Sequence, residues 1–357
     1  MKGLSAALLA LLAVSSAHAA QAEPARCAPS DGLAFVCGAE KPEDLAHITG
    51  TPWLIASGFS KGAGLKLVDT RTKTLRRWYE GTPVQVRPDR RYRHCPGPPD
   101  TAIFTPRGIS LRQVGDRRFR LYVVNHGGRE AIEIFAIDAR AAEPQLAWIG
   151  CLPMPEGYVA NAVASYSDGT VLATVLTRPG TTITDFVRGA ITGGVYEWKP
   201  GADAFHLLPG TELPGNNGLE TSPDDRHFYV VAFGWHAVFV YARANTAQPV
   251  KRIVAPDFMP DNIHWTDGRL VAAGMRLDEP ACGGLRKFVA GIADSMLCHR
   301  GYVVADVNPR EGSMTTIATA PPNPAFSGVS AGLIVGDTLW LGSFQADRLA
   351  YRLLERP

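Results

Sequence analysis

Five oxygen-bearing side chains recur beside the starts of strand-like runs. They are Glu43 in KPEDLAHI, Asn161 after a Tyr-Val-Ala run, Asn217 in GNNGLETSPD, and Asp261 with Asn262 in MPDNIHW. Taken singly, each reads as a turn residue, because Asn and Asp bond their own backbone in turns. Their recurrence at corresponding places suggests a shared task. Together they offer oxygen ligands and two negative charges, with no sulfur or imidazole donor, a set that suits a hard cation. Ca²⁺ takes about 6–8 oxygens, so water or substrate would complete the shell, whereas zinc would draw on His or Cys. Beside a carbonyl oxygen, such an ion acts as a Lewis acid and stabilises the oxyanion formed on attack.

No nucleophile elbow, phosphate loop or dinucleotide fingerprint accompanies this set. GFSKG (Gly58 to Gly62) has the spacing of a nucleophile elbow but lies between two strand-like runs. That motif needs a strand–turn–helix, so Ser60 reads as a loop serine. Arg107, in PRGIS, carries a planar guanidinium fork suited to a carboxylate, or equally to a salt bridge lining a channel. Trp235, His236, His264 and Trp265 are further candidates for the same end of a channel.

The elements that must position these residues are six copies of one pattern, each with two β-rich runs joined by a turn or loop. The clearest is SPDDRHFYVVAFGWHAVFVYAR, Ser222 to Arg243. The others begin at Leu54, Gly115, Ser167, Thr266 and Gly336. The spacing between several copies is the roughly 40–50 residues expected of a propeller blade. The expected fold is therefore all-β: a six-bladed β-propeller with four-stranded blades, in which loops from distant repeats gather around one axis. Closure by mixing N- and C-terminal strands in one blade would remove free edges.

The 357 residues are 46% hydrophobic with a formal net charge of +2, which supports a substantial core and gives no reason to expect nucleic acid. The 36 glycines and 27 prolines suit a turn-rich chain. Lys2, an apolar run from Leu4 to Val14 and Ala17-His18-Ala19 read as a signal peptide over 1–19, with one propeller domain over 20–357 and a periplasmic or secreted location. The alternative is a retained membrane anchor. Six cysteines without a CxxC fit disulfides in an oxidising compartment: Cys282–Cys298, Cys27–Cys37 and Cys95–Cys151. Arg178 to Gly194, whose centre suits one helical turn, and Cys282 to Cys298 are excursions longer than hairpin loops and form candidate pocket walls.

The words PRGIS, LYVVNHGGREAIEIF (Leu121 to Phe135), NNGLETSPDDRHFYV (Asn216 to Val230), PDNI (Pro260 to Ile263) and LWLGSF fall in order along most of the mature chain. In them the chain resembles the calcium-dependent six-bladed propellers of the paraoxonase/arylesterase and SMP-30/gluconolactonase superfamily. The resemblance implies that Glu43, Asn161, Asn217, Asp261 and Asn262 hold a catalytic calcium, and that His126 belongs to the acid/base machinery. Two positions depart from the paraoxonase pattern. Arg107 stands where that branch has a His, so a His pair is absent. Ala162 stands where it has an Asp, so Asp44 alone remains of a second, structural calcium site. The expected function is an exported, calcium-dependent hydrolase of a small ester or lactone, monomeric or a small homo-oligomer. Water would attack, with His126 or Asp261 as base and Arg107 as the substrate-carboxylate partner. The competing readings are a non-catalytic ligand-binding or scaffold propeller and a carbon-bond-forming, strictosidine-synthase-like member.

Overall fold

The computed structural model describes residues 27–354. The expected signal peptide lies outside them. Six four-stranded antiparallel sheets form the blades. Their inner strands are Leu45–His47, Pro106–Gly115, Ala160–Ser165, Asn216–Thr221, Phe258–Thr266 and Val329–Val335, for blades 1 to 6. Each inner strand touches the next, and the sixth touches the first, which closes the ring.

Blade 4 shows why the repeats read as they do. His227–Ala232 and Ala237–Ala242 pair in strict register, and a short 3₁₀ turn with His236 in the left-handed region (φ 49) joins them. Phe228, Val230 and Ala232 pack toward blade 3, while Tyr229 and Val231 pack toward blade 5. Both faces of the blade are covered, so its strands are almost continuously apolar rather than alternating. The apolar core is accordingly six layers, one between each pair of neighbouring blades.

The N-terminal strand Ala34–Cys37 pairs with the last strand, Arg348–Leu353, as the outermost strand of blade 6. Closure by mixing the two ends therefore holds. All three expected disulfides form. Cys95–Cys151 tethers the Arg- and Pro-rich segment to blade 2. The Arg87 and Asp89 amides of that segment donate to the carbonyls of Trp148 and Ile149, which covers the outer edge of the blade. Among the described residues no helix is long and apolar enough to cross a membrane.

Pro106 pairs with Asn125, Ala160 with Val175, Asn216 with Ala232 and Phe258 with Arg276. The starts of the inner strands thus lie at the same end as the loops after each second strand. Both long excursions open at that end. The first carries a one-turn helix, Ile183–Val187, capped by Thr182 and Asp185. The second, between Arg276 and Tyr302, holds two short ribbons and the Cys282–Cys298 disulfide.

Candidate functional site

Five of the six inner strands lose register near their first residues. The slips fall between Pro106 and Ile109, Ala160 and Val163, Asn216 and Leu219, Pro260 and Ile263, and Val329 and Ala331. A bulge places extra residues against one partner, bends the strand and re-aims its side chains. The re-aimed residues are Arg107, Asn161, Asn217, Asp261 with Asn262, and Ser330. Glu43 and Asp44 hold the corresponding place just before the inner strand of blade 1.

The bulges nest against one another. A Cβ on Gly108 would meet the Asn161 carbonyl oxygen at 2.5 Å, and one on Gly218 would meet that of Asp261 at 2.4 Å. Only glycine permits this approach. Thr174 links two bulges, because its Oγ1 donates to the Asn217 carbonyl at 2.7 Å and accepts from the Ala162 amide at 3.0 Å.

These contacts bring all five expected cation ligands together. The Asn161 Nδ2 donates to Asn217 Oδ1, Asn217 bonds the Asp261 carboxyl, and Asn262 Nδ2 donates to Glu43 Oε1 at 3.1 Å. Ser330 Oγ donates to the Glu43 carbonyl at 2.6 Å. Glu43, Asn217, Asp261 and Asn262 are buried, and Glu43 Oε2 is buried without a partner. Burial, with Asp44 and Asp261 nearby, pushes the Glu43 carboxyl up to about 8. Burial, with Asp44 nearby, pushes Asp261 up to about 7 against the hydrogen bond from Asn217. Burial and their mutual proximity thus make both carboxyls resist ionisation. Among the described residues no three His, Cys, Asp or Glu side chains group as a metal site. The donor set here instead combines two carboxyls with three carboxamides, and a half-turn of an amide group exchanges its nitrogen for its oxygen.

The two expected site residues on blade 2 stand beside this cluster. His126 follows the second strand of the blade, and its Nδ1 lies 2.6 Å from Glu130 Oε2. That contact fixes the ring and leaves Nε2 as the nitrogen not engaged by Glu130. Arg107 lies over the Phe59 ring, with 3.1 Å from guanidinium carbon to centroid. Its Nε and Nη1 are buried with no acceptor. Burial draws its pKa down to about 10, although Glu43 and Glu130 pull the other way.

One layer deeper, Asp44 is fully engaged. Its Oδ1 accepts from the Leu45 amide at 2.9 Å and lies 2.6 Å from His264 Nε2, and its Oδ2 accepts from the Ile109 amide at 2.7 Å. His264 Nδ1 faces Glu220 at 3.7 Å. Burial alone would lower His264, but Asp44 and Glu220 outweigh it and lift it to about 10. His264 therefore sits beneath the cluster rather than at the channel end. Trp265 departs further from expectation. It follows His264 on the strand, donates its indole N–H to the Thr221 carbonyl and packs edge-on to Tyr229, in a cleft at the opposite end of the propeller. Trp235 and His236 do lie at the site end, in the turn after Ala232. Ser60 is a loop residue, as expected.

Sequence reasoning missed Glu130, Ser330, Phe59 and Arg286. Only Glu130 carried a signal, its place four residues after His126. Arg286 lies in the second excursion, which reaches over neighbouring blades like a flap. Arg286 Nη2 contacts the Val187 carbonyl at 3.4 Å and His236 Nε2 at 3.1 Å, while Gln345 Nε2 donates to the Ser295 carbonyl at 3.4 Å. The flap of blade 5 thus bridges loops of blades 3, 4 and 6.

No protein-family model and no curated protein sequence matches this chain. Solved structures do. A luciferin-regenerating enzyme superposes over 90% of this chain and 93% of its own, with TM-score 0.52 and 15% identity. A gluconolactonase from Xanthomonas campestris superposes over 90% and 89%, with TM-score 0.50 and 16% identity. At these identities the likeness is one of fold. The six-bladed propeller architecture expected from the resemblance to the paraoxonase and SMP-30/gluconolactonase superfamily is the fold of this chain.

Proposed function

We propose that this protein is an exported, calcium-dependent hydrolase of an ester or lactone. The observation that carries this reading is the convergence of Glu43, Asn161, Asn217, Asp261 and Asn262 from four blades, with one Glu43 oxygen buried and unpartnered. The three disulfides agree with export to a periplasmic or extracellular compartment.

Those five residues would hold the cation. The reading takes one cation and none at Asp44, because protein donors already engage both Asp44 oxygens and Ala162 offers no ligand oxygen from its side chain. When bound, calcium supplies Lewis-acid polarisation of the substrate carbonyl and stabilisation of the developing oxyanion. The chain's own residues supply the rest. Glu130 holds His126 through Nδ1, so Nε2 is placed to take the proton of the attacking water, and His126 is the base favoured over Asp261. Asp261 is buried and bonded to Asn217, which suits a ligand better. Arg107, with two nitrogens lacking acceptors, is set to bind a substrate carboxylate.

The test is a panel of lactones and phenyl acetate with chelated and Ca²⁺-reconstituted protein. Hydrolysis is expected to vanish with EDTA and return with Ca²⁺, and Asn217→Ala should not be restored at the same Ca²⁺ concentration. Full activity in thoroughly chelated protein would sink the proposal.

A further inference from the structure

We infer that Glu133, behind the turn that carries His126, is a positioning residue for that base: through Asn125 and Arg129 it fixes the places of both His126 and Glu130. The inference rests on the hydrolase reading above and adds a residue to its machinery.

Glu133 is the third residue of the third strand of blade 2, Ala131–Asp138, and is fully buried. Its carboxylate accepts four hydrogen bonds. Oε1 accepts from Arg129 Nε at 2.8 Å and from Asn125 Nδ2 at 3.2 Å. Oε2 accepts from Arg129 Nη2 and from Trp148 Nε1, each at 2.8 Å. The packing of a blade does not call for a charge there. The third residue of the third strand is Val68 in blade 1, Tyr196 in blade 3, Phe239 in blade 4 and Val304 in blade 5. A buried ion pair is seldom more stabilising than apolar side chains of similar volume. The pair in blade 2 is accounted for by the geometry it holds.

That geometry is the turn between the second and third strands. Asn125, also fully buried, directs Nδ2 to Glu133 and to the Gly127 carbonyl at 3.1 Å. Its Oδ1 accepts from the Gly127 amide at 2.7 Å and from the Thr105 amide at 3.2 Å. The His126 amide between them donates to the Thr105 carbonyl at 3.2 Å. Both chain neighbours of His126 are therefore tied. Gly127 seats the turn tightly, since a Cβ there would lie 1.7 Å from the Ile103 carbonyl oxygen. At the far side of the turn, Arg129 forks onto Glu133 and shares Nη2 with the Gly97 carbonyl at 2.8 Å. The next residue is Glu130, whose carboxylate holds His126 Nδ1 and whose carbonyl accepts from the Met154 amide at 3.0 Å. One carboxylate thus anchors the residue before His126 and the residue before Glu130, and with them both ends of the contact that orients the base.

The test separates positioning from stability. Glu133→Gln and Arg129→Lys are compared with Ile137→Ala, a core truncation toward the other end of the same strand. In Ca²⁺-loaded protein, Glu133→Gln and Arg129→Lys should lower kcat for lactone hydrolysis by about tenfold or more with KM nearly unchanged, the scale of a base displaced by less than an ångström. Ile137→Ala should lower Tm and leave kcat at the wild-type value. The His126 ring is read directly from its imidazole nitrogen NMR resonances, assigned with His126→Gln. They should hold one position in wild type and Ile137→Ala, and shift or split in Glu133→Gln and Arg129→Lys. If Glu133→Gln does not fold, Arg129→Lys, which leaves a cation beside the buried carboxylate, carries the test. Wild-type kcat and unmoved His126 resonances in a folded variant of either residue would overturn the inference. The two readouts also separate it from the hydrolase reading. His126 resonances that move in protein that turns over no lactone remove the hydrolase and leave the positioning. Lactone turnover that neither variant lowers removes the positioning and leaves the hydrolase.

Discussion

Gly218 offers a sharp test of whether nested bulges set the site. A Cβ added there would lie 2.4 Å from the Asp261 carbonyl oxygen, 2.9 Å from Asn262 Cα and 3.0 Å from the Ile263 amide nitrogen. All three atoms are backbone, so no side chain can swing away. Restoring ordinary contact requires the inner strands of blades 4 and 5 to part by roughly 1 Å. Overpacking of this kind costs about 1–3 kcal/mol, and at roughly 2 °C per kcal/mol Gly218→Ala should lower Tm by about 2–6 °C. The functional loss should be larger than the stability loss. Asn217 immediately precedes Gly218, and Asp261 and Asn262 are the residues displaced, so three of the five ligands move together. Misplacement by about 1 Å can cost on the order of 100-fold in rate. The assay is paired: Ca²⁺ titration by calorimetry and lactone hydrolysis, each beside a melting curve, with Gly115→Ala as control. Gly115 has only the Arg118 Cβ at 3.8 Å, so its variant should match wild type. If Gly218→Ala melts with wild type and binds Ca²⁺ equally well, the nesting does not position the ligands and the reasoning fails.

Two further outcomes follow from the site's electrostatics. Native Glu43 keeps its proton up to about 8, whereas the unfolded chain releases it near the ordinary value of 4.5. Between those values the unfolded chain binds fewer protons, so the calcium-free protein should lose stability as pH rises, by on the order of 5 kcal/mol from this group. In urea unfolding with EDTA from pH 5 to 9, Glu43→Gln should flatten that decline, and parallel curves for the two proteins would refute the assignment. At the base, Glu130→Gln should lower kcat roughly tenfold with KM nearly unchanged, and His126→Gln should lower it by about 100-fold or more, the scale of general-base catalysis. Full activity in His126→Gln would make that histidine structural.

What was legible in the sequence is what the chain decides locally. Each blade is a run of hairpins whose pairing involves neighbouring residues, so six repeats predicted six blades and even the strand shared between the two ends. The Cys27–Cys37 and Cys282–Cys298 disulfides, 10 and 16 residues apart, and the one-turn helix in the first excursion were legible for the same reason, whereas Cys95–Cys151 spans 56 residues and closes a longer loop. So were the cation-ligand candidates, because Glu43, Asn161, Asn217 and Asp261-Asn262 recur at one position of the repeat. The rest required the ring to close. Residues 219 positions apart, Asn262 and Glu43, meet only because blade 5 and blade 1 share an axis. The bulges that turn these side chains inward are backbone events with no fixed residue signature. His264 looked like a candidate for the channel end until blade 1 supplied Asp44 across the axis, and Trp265 like its companion until strand alternation sent it toward Tyr229. The sequence by itself determined the blades and the chemical types available at their inner ends. The tertiary structure alone decided which of those groups share one low-dielectric space, where burial raises the Glu43 and Asp261 carboxyls and lowers the Arg107 guanidinium.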